Sequence, residues 1–356
     1  MITRVIDFFR KKRSIVSGNR NYIPYSFWSG DGNDSDELPK KVIEVYDGSS
    51  TLATCINTLA KFIAGRGLQS ENTEQVSENN TLRNLIQQTS FQLAMWGGYA
   101  WLVTHNIEGR QIDVVPMEFF RIKDLKGKKA CIVNINGEIQ DGYDNIDVVS
   151  DYAQIKENAK DIGLFNYKAI YYDYISPSKT AYLYPKPLYY SVLRDAFAEK
   201  ELKQAKYRDI RSGFSARIVA TIYQNGGNPT EDEIQQDISD FQDFCGSEGA
   251  TFMLRYAPNR ESKADFDVIN APNPDKLYEY TERSVADNIM KAFQIPQVLY
   301  GVPTAGKLGT SQEMQDAIRY VQFFVVAEMQ QLLLQGLNKI LELQKASIDT
   351  YNLQSL

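Results

Sequence analysis

The segment Gly301-Val-Pro-Thr-Ala-Gly306-Lys307-Leu308 carries both glycines and the lysine of a phosphate-cradling loop at the right spacing. In such a loop the glycines let backbone N–H groups close on phosphate, the lysine reaches its oxygens, and a following Ser or Thr holds magnesium. Here Leu308 stands where the hydroxyl should be. The setting departs as well, because a proline-broken helix end precedes the segment and the next helix opens only at the capping box Thr310/Glu313. Other chemistry is thinner. His105, the single histidine, sits beside Asn106 and reads as an incidental exposed imidazole; one histidine cannot build a two-histidine metal site. Cys55, Cys131 and Cys245 lack the paired spacing of zinc ligands, and their small, odd number argues for a reducing compartment without a disulfide framework. The acidic run from Asp31 to Asp36 lacks the sixth-position glycine and twelfth-position glutamate of a calcium loop. The sequence therefore predicts no catalytic residue, no metal and no cofactor.

Composition sets the class. The chain has 356 residues, 43% apolar and 24% charged, with 22 Tyr, 17 Phe and 3 Trp, which is enough aromatic burial to exclude disorder as its main theme. Its most apolar stretch, 321–337, is broken by Gln322, Glu328, Gln330, Gln331 and Gln335, so no membrane span is expected. No secretory signal opens the chain, since Arg4 and Asp7 fall within its short apolar start. A net charge of −6 excludes a tight, basic binder of nucleic acid, though not a surface that nucleic acid slides past.

The elements follow from periodicity. Ile2, Val5, Ile6 and Phe9 with the run Arg10-Lys11-Lys12-Arg13 predict a short amphipathic basic helix, and 14–40 read as an extended arm. Helices are expected over 49–65 (Leu52, Ile56, Leu59, Ile63 on one face) and 81–95, stopped by Gly97-Gly98. The period then becomes two, which predicts strands at 99–103, 112–116, 119–122, 130–134, 138–140 and 170–175 in an antiparallel α+β arrangement. A long helix over 188–211 carries six cations against Asp195, Glu199, Glu201 and Asp209, and reads as a solvated face laced with i,i+4 pairs. A compact unit follows: a strand at 218–222, a helix opened by Thr230/Glu233, and strands at 251–256 and 266–270. Asn273 and Pro274 open a helix to Phe293. The last helix should run from Ser311 to about Lys345, on the order of 50 Å, with Met314, Ile318, Val321, Val325, Met329, Leu332, Gly336 and Ile340 on one stripe.

From residue 188 onward this order is unusual: helix, small α/β unit, helix ending in Ile-Pro, loop, long apolar helix. The chain here resembles the portal proteins of tailed double-stranded-DNA bacteriophages, in the shorter siphophage form. Ala292-Phe-Gln-Ile-Pro-Gln-Val-Leu-Tyr-Gly301 looks like the family's helix-end motif, placing Phe293, Ile295, Pro296, Leu299 and Gly301. Thr310-Ser-Gln-Glu313 resembles the polar start of the helix that follows it. Gly98-Tyr-Ala-Trp-Leu-Val103, then Val114-Val-Pro-Met-Glu118, resembles its glycine-led strand and proline-ended strand, and Tyr184-Pro-Lys-Pro-Leu188 its approach to the first channel helix. Cys55-Ile56 with Ala60 and Ala64 matches its early helix. The likeness covers about 42–345. The 14–40 arm matches nothing in it, and a crown domain would be reduced or absent.

The resemblance implies a portal-like α+β fold: an N-terminal arm (1–40), a wing (41–187), stem helix one (188–212), an α/β clip (213–272), stem helix two (273–301), a tunnel loop (302–309) and a long C-terminal helix (310–356). It implies a non-enzymatic homo-oligomeric ring, usually of twelve subunits, at one capsid vertex of the virion, assembled in the host cytoplasm. Double-stranded DNA would pass through it, driven by the terminase large subunit, and head-completion or adaptor proteins and the major capsid protein would be partners, with no membrane. Thr304 and Lys307 would face DNA from the tunnel loop; Tyr223, Asn225, Tyr256 and Arg260 would serve partner docking on the clip. Two alternatives from other classes remain: a nucleotide-binding enzyme built on Gly301 and Lys307, and a cytosolic scaffold whose clip-like unit binds a partner peptide.

Overall fold

The computed structural model describes residues 37–68, 74–78, 80–107, 109–123, 128–162, 166–177, 179, 183–211, 218–223, 230–232, 234–236, 252–257, 274–300, 311–343 and 346–350. The chain divides into two compact units: the first is built from 1–43, 56–190 and 295–356, the second from 44–55 and 191–294.

In the first unit six strands form one sheet in the order β4-β3-β8-β7-β6-β5, with β3 (Gly98–Asn106), β4 (Gly109–Val115), β5 (Phe120–Ile122), β6 (Lys129–Ile132), β7 (Ile146–Val149) and β8 (Tyr167–Tyr174). A small hairpin, β1 (Gln75–Ser77) with β2 (Asn80–Thr81), lies beside β4. The large sheet is mixed, not purely antiparallel. β7 pairs parallel to β8, and the crossover between them is α4 (Tyr152–Ile162), which the sequence reading missed together with β7. The expected strand at 138–140 shrinks to one bridge between Val133 and Ile139.

Only residues 116–119 join β4, at one edge, to β5, at the other. Five flat strand spacings would separate those edges by about 24 Å, farther than the roughly 19 Å that five Cα steps can reach. The linker is also folded into a turn, Phe119 N–H donating to the Pro116 carbonyl at 2.9 Å, so the sheet has to curl. Phe120 accordingly reaches Tyr172 of β8, ring centroids 4.6 Å apart.

One face of the sheet is aromatic. Tyr99 and Trp101, two apart on β3, and Tyr171 across from Trp101 are buried, with centroids 4.9, 5.7 and 6.2 Å apart. The Trp101 indole N–H donates to Thr89 Oγ1 of α3 (Leu82–Trp96) at 2.8 Å, so this buried donor is satisfied. Thr81 caps the first turn of α3, and Gly97 ends the helix at φ 79°, a left-handed conformation that suits glycine.

The last helical run also covers this face, in three parts. α7 (Ser311–Tyr320) leads into a π-helical turn (Val321–Val325), then α8 (Ala327–Leu341). The expected single helix to Lys345 is therefore interrupted, and it ends at Leu341, where Glu342 turns left-handed at φ 58°. Within α8, Gly336 lets the helix lie directly on the sheet: a Cβ there would collide with the Tyr99 hydroxyl, which donates to the Leu332 carbonyl at 3.2 Å. At the far end of α8, Arg110 donates to the Leu341 carbonyl at 2.7 Å and closes the helix terminus.

The second unit holds the junction of α1 (Glu37–Gly48) with α2 (Ser50–Ala64), then α5 (Leu193–Arg211), which follows a 3₁₀ turn at Leu188–Val192, and α6 (Pro274–Phe293). Because α1 starts at Glu37, the last residues of the expected extended arm are helical. Between α5 and α6, β9 (Ile218–Tyr223) pairs parallel with β10 (Phe252–Ala257), and residues 231, 232 and 234–236 are helical, as a parallel crossover requires. The expected strand at 266–270, Glu233 of the second capping box and Cys245 lie outside the described residues.

Candidate conduit elements

α5 and α6 pack against each other in antiparallel fashion. Asn288 reaches Asp195 (3.3 Å), while Lys206 pairs with Glu282 (2.5 Å), so rising numbers on one helix meet falling numbers on the other. Val285, Ile289 and Phe293 repeat every four residues and are buried, leaving Tyr280, Arg283 and Lys291 exposed on the opposite side. Both members of the Lys206–Glu282 pair are 38% exposed, so that pair adds little stability and acts mainly as register.

The charge pattern of α5 is not all solvated surface. Glu199 is buried, 6% exposed, and its carboxylate lies over the start of α2. It accepts from the hydroxyls of Ser49, Ser50 (3.3 Å) and Thr51 (3.0 Å) and from the Thr51 backbone N–H (3.3 Å). Lys203, one turn along, pairs with it at 2.6 Å. The first turn of α2 contains no acidic residue of its own, so a carboxylate from another helix supplies the negative charge that a helix N-terminus attracts. Burial alone pushes the Glu199 carboxyl up, but the hydrogen bonds from Lys203, Ser49 and Thr51 outweigh it and hold it below the ordinary glutamate value. Beside it Lys200 pairs with Glu44 (2.5 Å), so the α1–α2 junction is fixed to α5 at two points. The i,i+4 spacing of Glu199 and Lys203 was visible in the sequence. The signal that was missed is Ser49-Ser50-Thr51 opening a helix whose first turn has no acidic residue.

The helix-end motif closes α6. Gln294 takes φ 55° and its N–H donates to the Lys291 carbonyl at 3.1 Å, after which Pro296 opens a 3₁₀ turn (Gln297–Tyr300), with Leu299 N–H donating to the Pro296 carbonyl at 3.0 Å. Phe293 and Ile295 are buried, 1% and 4% exposed, and Leu299 is half-buried. These side chains therefore serve packing, and the turn lies against α7. The division between the two units falls within this motif, at Gln294 and Ile295.

The other expected site residues are placed only in part. Gly301, Thr304, Lys307, Asn225 and Arg260 lie outside the described residues. Tyr223 and Tyr256 are ladder positions of β9 and β10, where Tyr256 pairs with Ile222 and Ala257 with Tyr223. His105 departs from its expectation. It is half-buried, with Nδ1 2.9 Å from the Tyr152 hydroxyl, and the Tyr152 ring also receives Arg110 and Lys156 at 5.1 and 4.5 Å. This cluster ties α4 and the β3–β4 hairpin to Glu342, which both cations approach (3.4 and 3.5 Å). Among the described residues there is no group of three or more His, Cys, Asp or Glu able to hold a metal, and no helix long and apolar enough to cross a membrane. Cys55 and Cys131, the two described cysteines, are buried and not joined in a disulfide.

No protein-family model and no curated protein matches the sequence. Solved structures do match in fold. A chain of the native gene transfer agent (GTA) virion aligns at TM-score 0.51 and 11% identity, over 83% of this chain and 78% of that one. A chain from the neck of the native GTA particle, computed with C12 symmetry, aligns at TM-score 0.47 and 11% identity over 85% and 82%. An HK97-family phage portal protein from Corynebacterium diphtheriae aligns at TM-score 0.46 and 13% identity over 83% and 88%. The virion chain and this chain share one fold across most of their lengths.

Proposed function

We propose that the chain is a portal: a ring-forming, non-enzymatic conduit at one capsid vertex through which double-stranded DNA is packaged and later ejected. One observation carries the reading. The order α5, parallel β9–β10 unit, α6, Ile-Pro turn, then α7 and α8 agrees with the expected succession of stem, clip, stem and long helix, and it occurs in a fold shared with a chain of a GTA virion.

Charge supports the same reading. Twelve copies at −6 each would carry −72 in all, so the ring would mostly repel a polyanion, while every added phosphate contact would tighten binding and resist sliding. On this reading the stem is α5 with α6, and Thr304 and Lys307 touch the duplex transiently from the loop 302–309. The β9–β10 unit, with Tyr223, Asn225, Tyr256 and Arg260, meets the terminase large subunit and afterwards head-completion proteins, and the first unit meets the major capsid protein. The protein works in the virion after assembly in the host cytoplasm.

Mass and DNA affinity test this together. Sedimentation of the purified chain should give a closed assembly near 490 kDa, twelve times 40.5 kDa, that forms no stable complex with linear duplex at physiological salt. A compact dimer, or tight salt-sensitive DNA binding by a monomer, contradicts the proposal.

A further inference from the structure

Three aromatic rings stand in solvent where α7 meets the π turn. Tyr320, Phe323 and Phe324 are 42%, 74% and 77% exposed, and the Tyr320 and Phe324 rings lie 5.4 Å apart. The turn itself puts them there. The buried Val321 and Val326 stand five positions apart, so of the four residues between them Phe323 and Phe324 are carried outward, next to Tyr320, while the core seam stays closed. Beside Phe323 runs a groove of about 370 Å³, lined by Gln322, Ala327, Gln331 and Leu334.

The trio leaves on the order of 400 Å² of aromatic surface uncovered. That is as large as the largest apolar patch of a typical monomer and about half of one partner's share of a standard interface. Its rim decides the class of partner. Among the described residues of α7, the π turn and the start of α8, Glu313, Asp316 and Glu328 are exposed against one cation, Arg319, so both a nucleic-acid backbone and an anionic lipid surface would be repelled. A neutral, amide-lined groove beside aromatic rings suits a protein surface.

A closed ring of more than two copies joins two different faces of the chain. The first unit offers a second apolar set away from the aromatic one: Ile107, Ile135 and Ile139 are 83%, 87% and 43% exposed. Ile107 follows the last residue of β3, and 135 and 139 follow β6 at that same end of the sheet. The aromatic trio precedes Leu332, whose carbonyl accepts from Tyr99 at the start of β3, and so it lies toward the opposite end. We infer that Phe323 and Phe324, with Tyr320, are the knob by which one copy of this chain packs on the next, seated on a different face of the neighbour. This inference rests on the ring reading above.

The full-length double variant Phe323→Ser/Phe324→Ser tests it by sedimentation velocity, with thermal melting as the fold control. The expected result is an assembly concentration raised roughly a hundredfold, at a melting temperature unchanged from the parent chain. A parent ring matched by an equally stable variant ring overturns the knob and leaves the ring reading standing; a parent chain that stays monomeric overturns both. Should the double variant misfold, Phe324→Cys replaces it, with maleimide labelling mapped to that position. Labelling at least tenfold slower in the ring than in the dissociated chain supports the inference, and equal rates overturn it.

Discussion

The backbone N–H of Val326 donates to the carbonyl oxygen of Val321, five residues earlier, at 3.0 Å. Both valines are fully buried, and Met329 and Leu333 continue their seam across α8. A regular α-helix would have buried Val325 after Val321. The fifth residue rotates the seam so that α7 and α8 both stay on the core.

Val321→Ala and Phe323→Ala therefore separate core from surface. The first removes two buried methyl groups and should cost about 2 kcal/mol in urea unfolding. The second should change unfolding by less than about 0.5 kcal/mol, because its ring is 74% exposed in a single copy. Equal losses at the two sites would contradict the placement of the π turn.

Gly336→Ala should destabilise the chain although alanine favours helix. The intrinsic gain of about 1 kcal/mol is smaller than the 1–3 kcal/mol typical of overpacking, and the added methyl would fall on the Tyr99 hydroxyl. Tyr99→Phe removes that oxygen, so in its background the same glycine change should cost distinctly less. A double-mutant cycle measures the coupling, and strict additivity would refute the contact.

Most of the fold was legible. The four-three-four spacing of Leu52, Ile56, Leu59 and Ile63 and the stop at Gly97 placed two helices within a residue or two. The proline at 274 marked the start of α6. What escaped notice depended on partners distant in sequence. β7 is four residues long and is a strand because β8 and β6 flank it, while α4 is only eleven residues long and its buried stripe, Tyr152, Ile155 and Ala159, is set among Lys156, Glu157, Lys160 and Asp161. The π turn was hidden because Val325 and Val326 satisfy the pattern equally well until packing chooses one. Glu199 read as surface charge because its hydroxyl donors sit about 150 residues earlier.

Glu199 should make stability acid-sensitive. Its folded carboxyl ionises below the ordinary value of 4.5, so the unfolded chain takes up the proton first. The stabilisation is thus complete above about pH 4.5 and is lost as pH falls through the lower folded value. Glu199→Gln should cost about 2 kcal/mol at pH 7, with the gap between variant and parent closing in acid. Urea midpoints from pH 3 to 7 measure this, and a gap independent of pH would contradict the buried anion.

Nucleotide should find no site at Lys307, since Leu308 cannot hold magnesium. Calorimetric titration with Mg-ATP is expected to give no binding heat. Saturable heat abolished by Lys307→Ala would return the enzyme reading to first place.

Averaged electron micrographs of the purified full-length chain test the conduit most directly. The account predicts end-on views of a closed ring of about twelve repeats around an opening wide enough for duplex DNA, roughly 20 Å or more. Solid particles without a central opening, at any protein concentration, would contradict it.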